Sequence, residues 1–119
     1  MRVLLVDDNI DSVIGIGRVL QALGYEVCAA LDGRDAIIRA AEFHPDAAVI
    51  DLSLPIIDGC GVAERLRAMP ETRDAFLIAM TGWGAGEYSA RVSAAGFDLH
   101  LVKPVSVDTL IGALEMARC

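Results

Sequence analysis

Three carboxylates, a hydroxyl and a lysine each stand where a short apolar run stops. Asp7 and Asp8 follow Val3-Leu4-Leu5-Val6, and Asp51 follows Ala47-Ala48-Val49-Ile50. Thr81 follows Phe76-Leu77-Ile78-Ala79-Met80, and Lys103 follows Leu99-His100-Leu101-Val102. A carboxylate is a competent nucleophile toward phosphorus and gives an acyl phosphate. Gathered in one cleft, such groups repel: two carboxylates ~5 Å apart oppose each other by roughly 3 kcal/mol at an effective dielectric of about 20. A divalent cation relieves this, and Mg²⁺ suits carboxylate, carbonyl, water and phosphoryl oxygens. A lysine adds a point charge for one phosphoryl oxygen, and a threonine hydroxyl can donate a hydrogen bond to another.

The elements that must bring these residues together are legible in the hydropathy pattern. Short apolar runs bounded by Gly, Pro or Asp and separated by helix-patterned segments read as buried parallel strands. Strands are expected at 3–6, 25–30, 47–50, 76–80 and 99–102, with helices at 10–23, 33–43, 59–69, 86–95 and 105–118. Gly24 and Gly96 are helix stops of the left-handed kind, and Pro45 and Pro70 stop two others. Gly15 and Gly17 inside the first helix each cost roughly 1 kcal/mol against Ala, so tertiary packing must hold it. Strict alternation with right-handed crossovers gives an α/β, doubly wound three-layer sandwich. In such a sheet the loops at the carboxyl ends of the strands share one edge, where ligands bind.

Bulk composition sets the outer limits. A chain of 119 residues is expected to form a single domain over 1–119, and one of this size buries about 60–70% of its unfolded surface. It is 55% hydrophobic, with a mean hydropathy of +0.49. No apolar run approaches the roughly 20 residues of a membrane span. Met1-Arg2 leads straight into the first strand, so no signal peptide is expected. A net charge of −7 disfavours direct nucleic-acid binding, because no basic face releases phosphate counterions. Three cysteines, Cys28, Cys60 and Cys119, lack CxxC spacing. They fit a reduced, cytoplasmic setting without a disulfide framework or zinc site.

Two glycine-rich stretches imitate nucleotide-binding motifs. Gly15-Ile16-Gly17 opens like a dinucleotide fingerprint, but Leu20 stands where the third glycine belongs, and the stretch lies within a helix. Gly82-Trp83-Gly84-Ala85-Gly86 lacks the Gly-Lys-Ser/Thr ending of a P-loop. Asp58-Gly59 reads as a turn and helix start, and His44 as a surface residue.

Leu4-Leu5-Val6-Asp7-Asp8-Asn9, Val49-Ile50-Asp51-Leu52-Ser53-Leu54-Pro55 with Asp58-Gly59, Met80-Thr81-Gly82 and Val102-Lys103-Pro104 together resemble the receiver domain of two-component response regulators. The order and separations carry the resemblance, with 30 residues from Asp51 to Thr81 and 22 from Thr81 to Lys103. It implies a flavodoxin-like fold with strand order 2-1-3-4-5 and a phosphoaspartate switch. Asp51 takes the phosphoacceptor position. Asp7 and Asp8 match the acidic pair that helps hold Mg²⁺, Asp8 more directly, and the backbone carbonyl of Ser53 matches a further ligand. Thr81 matches the switch hydroxyl and Lys103 the phosphate-pairing lysine, with a cis Lys103-Pro104 peptide. At the fifth-strand position where the family usually carries an aromatic, this chain has His100. That departure opens a pH-sensitive readout in place of an aromatic flip.

The resemblance also implies partners: a histidine kinase or histidine phosphotransfer protein as donor. It implies an output through the face of helix four, strand five and helix five, where Tyr88, Arg91, Val92, His100 and Leu110 are candidates. Such a domain is a signalling phosphoacceptor that catalyses only its own Mg²⁺-dependent phosphorylation and dephosphorylation. Ser53 and Trp83 flank the site and are candidates for setting the phosphoryl lifetime. Met1 directly before the first strand suits a free-standing or N-terminal receiver, while Thr81-Gly82-Trp83-Gly84 also resembles receivers of hybrid histidine kinases. Two alternatives stand beside this reading. A haloacid-dehalogenase-type phosphohydrolase shares the Asp, Thr and Lys, but Asp7-Asp8-Asn9 lacks its Asp-x-Asp spacing. A contact-only receiver would have lost Asp51, Thr81 or Lys103, and none is lost.

Overall fold

The computed structural model describes the backbone of residues 1–82 and 85–118, and the side chains among these except those of 85–89 and 118. Five strands, β1 (Arg2–Val6), β2 (Glu26–Ala30), β3 (Ala47–Asp51), β4 (Phe76–Thr81) and β5 (Leu99–Val102), alternate with five helices. The helices are α1 (Ile10–Ala22), α2 (Gly33–Phe43), α3 (Gly59–Ala68), α4 (Ala85–Ala95) and α5 (Val107–Arg118). The sheet is parallel throughout, in the order β2-β1-β3-β4-β5.

Alternate residues of each strand feed two cores. Leu4, Val6, Ala48, Ile50, Leu77 and Ala79 pack against Ala36, Ala40, Val62, Leu66 and Val92 of α2, α3 and α4. Val3, Leu5, Ala47, Val49, Ile78 and Met80 pack against Leu20 of α1 and Leu110 and Leu114 of α5. Being covered on both faces is why β1, β3 and β4 read as continuous apolar runs.

Helix starts are fixed by side chains. Asn9, Asp32 and Asp58 cap α1, α2 and α3, accepting from the backbone N–H groups of Ser12, Asp35 and Gly61. The pattern-based boundaries shift by one residue at several element ends and by two at the start of α5. Met69 is extended before Pro70, which disfavours a helical residue ahead of it, so α3 stops at Ala68. Ser106 Oγ accepts from the Thr109 N–H, which starts α5 at Val107 in place of Val105. Glycine is needed where α3 meets β3: a Cβ on Gly59 would lie 2.6 Å from the Asp51 carbonyl oxygen. That close approach sets α3 directly beneath the end of β3.

Candidate functional site

Asp7 directly follows β1, Asp51 and Thr81 are the last residues of β3 and β4, and Lys103 directly follows β5. Neighbouring strands lock their ends level: Leu52 N–H donates to the Met80 carbonyl at 2.9 Å, and Lys103 N–H to the Thr81 carbonyl at 2.7 Å. The four stretches therefore meet at one edge of the sheet. The Lys103-Pro104 peptide is cis, as the resemblance implies.

Lys103 Nζ lies 2.8 Å from Asp51 Oδ2 and 3.6 Å from Asp7 Oδ2. The other oxygen of each carboxylate is held by a backbone N–H two residues on. Asn9 donates to Asp7 Oδ1 and Ser53 to Asp51 Oδ1, both at 3.0 Å. One oxygen from each of Asp7, Asp8 and Asp51 falls within 4.8 Å of the others. Asp7, Asp51 and Thr81 are buried, at 5%, 4% and 1% exposure, whereas Asp8 faces solvent. The cluster is thus open on one side and enclosed on the other.

Burial pushes the Asp7 carboxyl up from its ordinary 3.8, and the neighbouring Asp51 charge adds to this; the Asn9 N–H and Lys103 only partly offset it. Burial pulls Lys103 down, but its bond to Asp51 and the charges of Asp51 and Asp7 outweigh that, and its ammonium is raised above 10.5. One ammonium set against three carboxyl groups leaves excess negative charge. Carboxylate oxygens clustered with an uncompensated charge are the donor set a hard divalent cation takes, so these residues fit Mg²⁺.

His100 lies on the α4 side of the sheet in register with Ala79, two residues before Thr81 on the neighbouring strand. Its Nε2 is buried and has no hydrogen-bond partner among the described residues. It borders a cavity of about 180 Å³ with Val92, Ser93, Phe97, Asp98 and Leu99.

Other expectations change. Val92 and Leu110, offered as surface candidates, are buried at 4% and 2% exposure, one in each core. Arg91 is exposed but reaches α3, with Nη2 2.6 Å from Asp58 Oδ2. Trp83, Cys119 and the side chain of Tyr88 lie outside the described residues. Cys60 is buried, which pushes its thiol up and makes it unreactive.

Sequence reasoning missed two features beside the site. Arg91–Asp58 joins residues 33 positions apart, a pairing that no local pattern signals. Ile56, 77% exposed, has φ +69, and Ile57 N–H donates to the Pro55 carbonyl at 2.8 Å. This is a γ-turn of the rare, strained hand, with a β-branched residue at its centre.

Comparison with known proteins agrees with this geometry. Residues 3–115 match the family model described as the response regulator receiver domain. The transcriptional regulatory protein PrrA of Mycobacterium tuberculosis is 35% identical over 114 residues, covering 96% of this chain and 48% of PrrA. The chain therefore spans about half the length of the PrrA relatives it matches. The polar-differentiation response regulator DivK of Brucella abortus is 29% identical over 113 residues, 95% of this chain and 92% of DivK. Among solved structures, the Vibrio cholerae chemotaxis protein CheY4 superposes with a TM-score of 0.92 at 29% identity, over 98% of this chain and 97% of that one. The receiver domain of a Pseudomonas aeruginosa sensor histidine kinase does so at 0.87 and 30%, over 97% and 94%. That domain holds a magnesium ion in its active-site cleft.

Proposed function

Because this chain belongs to the response regulator receiver domain family of two-component signalling, we propose that its Asp51 accepts a phosphoryl group from a phosphohistidine. The donor is a histidine kinase or histidine phosphotransfer protein, and the phosphoaspartate resets a protein-interaction surface. An Asp51 carboxylate oxygen attacks phosphorus and the P–N bond of the donor breaks. The imidazole nitrogen leaves with the bonding pair and takes a proton from solvent.

The chain's own groups supply the rest. Lys103, already bonded to Asp51, is available to neutralise one phosphoryl oxygen. Thr81 would donate its hydroxyl to another, drawing the stretch after β4 inward. His100 would repack as Thr81 moves; its buried, unpartnered Nε2 supports that part. Asp7, Asp8, Asp51 and the Ser53 carbonyl would hold Mg²⁺. When bound, the cation offsets carboxylate charge and polarises a phosphoryl oxygen. The domain is a phosphoacceptor that catalyses its own modification and its reversal.

The observation that carries this reading is the convergence itself: three carboxylate oxygens within 4.8 Å, with one lysine bonded to Asp51. The test is peptide mapping after incubation with acetyl phosphate and Mg²⁺. A hydroxylamine-labile phosphoryl group on the peptide containing Asp51 is expected. A hydroxylamine-stable ester on Ser53 or Thr81 would overturn the assignment.

A further inference from the structure

Asp58 divides its carboxylate between two elements. Oδ1 caps α3 by accepting from Gly61 N–H at 2.8 Å, which aims Oδ2 at the Arg91 guanidinium of α4, 2.6 Å away. Burial works against the Asp58 charge, but the Gly61 N–H and Arg91 together hold its carboxyl below the usual range. The bond is therefore between full charges.

Its two ends belong to different halves of the site. Asp58 moves with Asp51, because Gly59 N–H donates to the Leu52 carbonyl at 3.2 Å and Gly59 sits against the Asp51 carbonyl. Arg91 moves with α4, the helix that follows Thr81 in the chain. The far end of α4 is pinned separately: Arg67 Nε and Nη2 donate to the Gly96 carbonyl at 2.9 and 2.7 Å. Between the two halves runs a cleft of about 270 Å³. Ser53 and Thr81 line it beside the carboxylates, and Asp58 and Arg91 line it too.

The geometry assigns Arg91 a positioning role. Its bond to Asp58 latches α4 to the start of α3 and, on the phosphoacceptor reading above, opposes the movement of Thr81 toward a phosphoryl group on Asp51. With Arg67 as pivot, α4 swings only when the latch is released. Side-chain exposures of 56% and 38% make the latch weak, which suits a contact that must open. The latch occurs together with Lys103 bonded directly to Asp51 Oδ2, a contact that a phosphoryl group on that oxygen would displace, so removing the latch favours the other arrangement.

The test is calorimetric titration with beryllofluoride, a phosphoryl mimic, in saturating Mg²⁺. Arg91→Gln breaks the bond directly. Asp58→Ser breaks it while keeping an N-cap for α3. Each is expected to tighten beryllofluoride binding about two- to fivefold. The double variant should gain no more than either alone, since both remove one interaction, and Arg91→Lys should return toward the parent. Variants that bind as the parent does, or more weakly, overturn the latch, and so does an additive double variant. A parent that fails to bind beryllofluoride overturns the phosphoacceptor reading and the latch with it.

Discussion

At the scale of single residues, the site is a balance of like charges held by a few fixed donors. Asp7 is the clearest case: its carboxyl is raised by burial and by Asp51, so the folded chain holds that proton more tightly than the unfolded chain. This group's contribution to stability is therefore expected to fall as pH rises from about 3.8 through the raised value, opposite in sign to that of Asp58. Asp7→Asn should remove that fall, as urea unfolding in EDTA at pH 4 and pH 7 would show. A slope unchanged by the substitution would mean Asp7 carries no such strain. Asp8→Asn removes repulsion without breaking a bond. It should raise metal-free stability by on the order of 1 kcal/mol, discounted for its exposure, while weakening Mg²⁺ binding. Ile56 stores strain of another kind. With 77% of its surface exposed, it gives up little packing on truncation. Ile56→Gly should stabilise by roughly 0.5–1 kcal/mol, the left-handed penalty less the entropy of glycine. A destabilised variant would show that the side chain is held by contacts.

At the scale of elements, glycines mark which helix placements are obligatory. A Cβ on Gly15 meets no atom within 4 Å, so Gly15→Ala should gain up to about 1 kcal/mol from helix propensity alone. Gly59→Ala should lose about 1–3 kcal/mol, because its methyl would press on the Asp51 carbonyl and Leu52. It should also slow phosphorylation by shifting Asp51. Thermal unfolding of the pair distinguishes them by sign. The same contrast shows what a sequence can and cannot disclose. Strand ends were legible at Asp7, Asp51, Thr81 and Lys103 because burial on both faces forces an uninterrupted apolar run that a polar residue visibly ends. The Asp58 cap acts within three residues, which is why the helix start at Gly59 is readable, whereas the Asn9 and Asp32 caps emerge only from the structure. Val92 and Leu110 are surface candidates only through the resemblance, which names an output face made by whole elements; as apolar residues on amphipathic helices they turn toward the sheet. Arg91–Asp58 and the Ile56 turn were invisible: one joins distant segments, and the other breaks the preference of its own residue type.

At the scale of the whole molecule, a parallel sheet with order β2-β1-β3-β4-β5 gathers residues from four chain segments into one acidic edge of a protein whose net charge is already −7. Binding of Mg²⁺ should therefore be felt as stability of the entire fold. At a hundredfold excess over its dissociation constant the gain is about 2.7 kcal/mol, and sodium chloride of equal ionic strength should give much less. Equal shifts in the melting temperature with the two salts would mean general screening and not a site. Among the described residues no helix is long and apolar enough to cross a membrane. The central claim, that this architecture makes Asp51 a Mg²⁺-dependent phosphoacceptor, is tested most directly by intact mass after incubation with acetyl phosphate. The parent and Asp51→Asn would each be measured with and without Mg²⁺. A single phosphoryl adduct is predicted on the parent in Mg²⁺, lost in EDTA and absent from Asp51→Asn. An adduct retained by Asp51→Asn, or none on the parent with Mg²⁺ present, would contradict it.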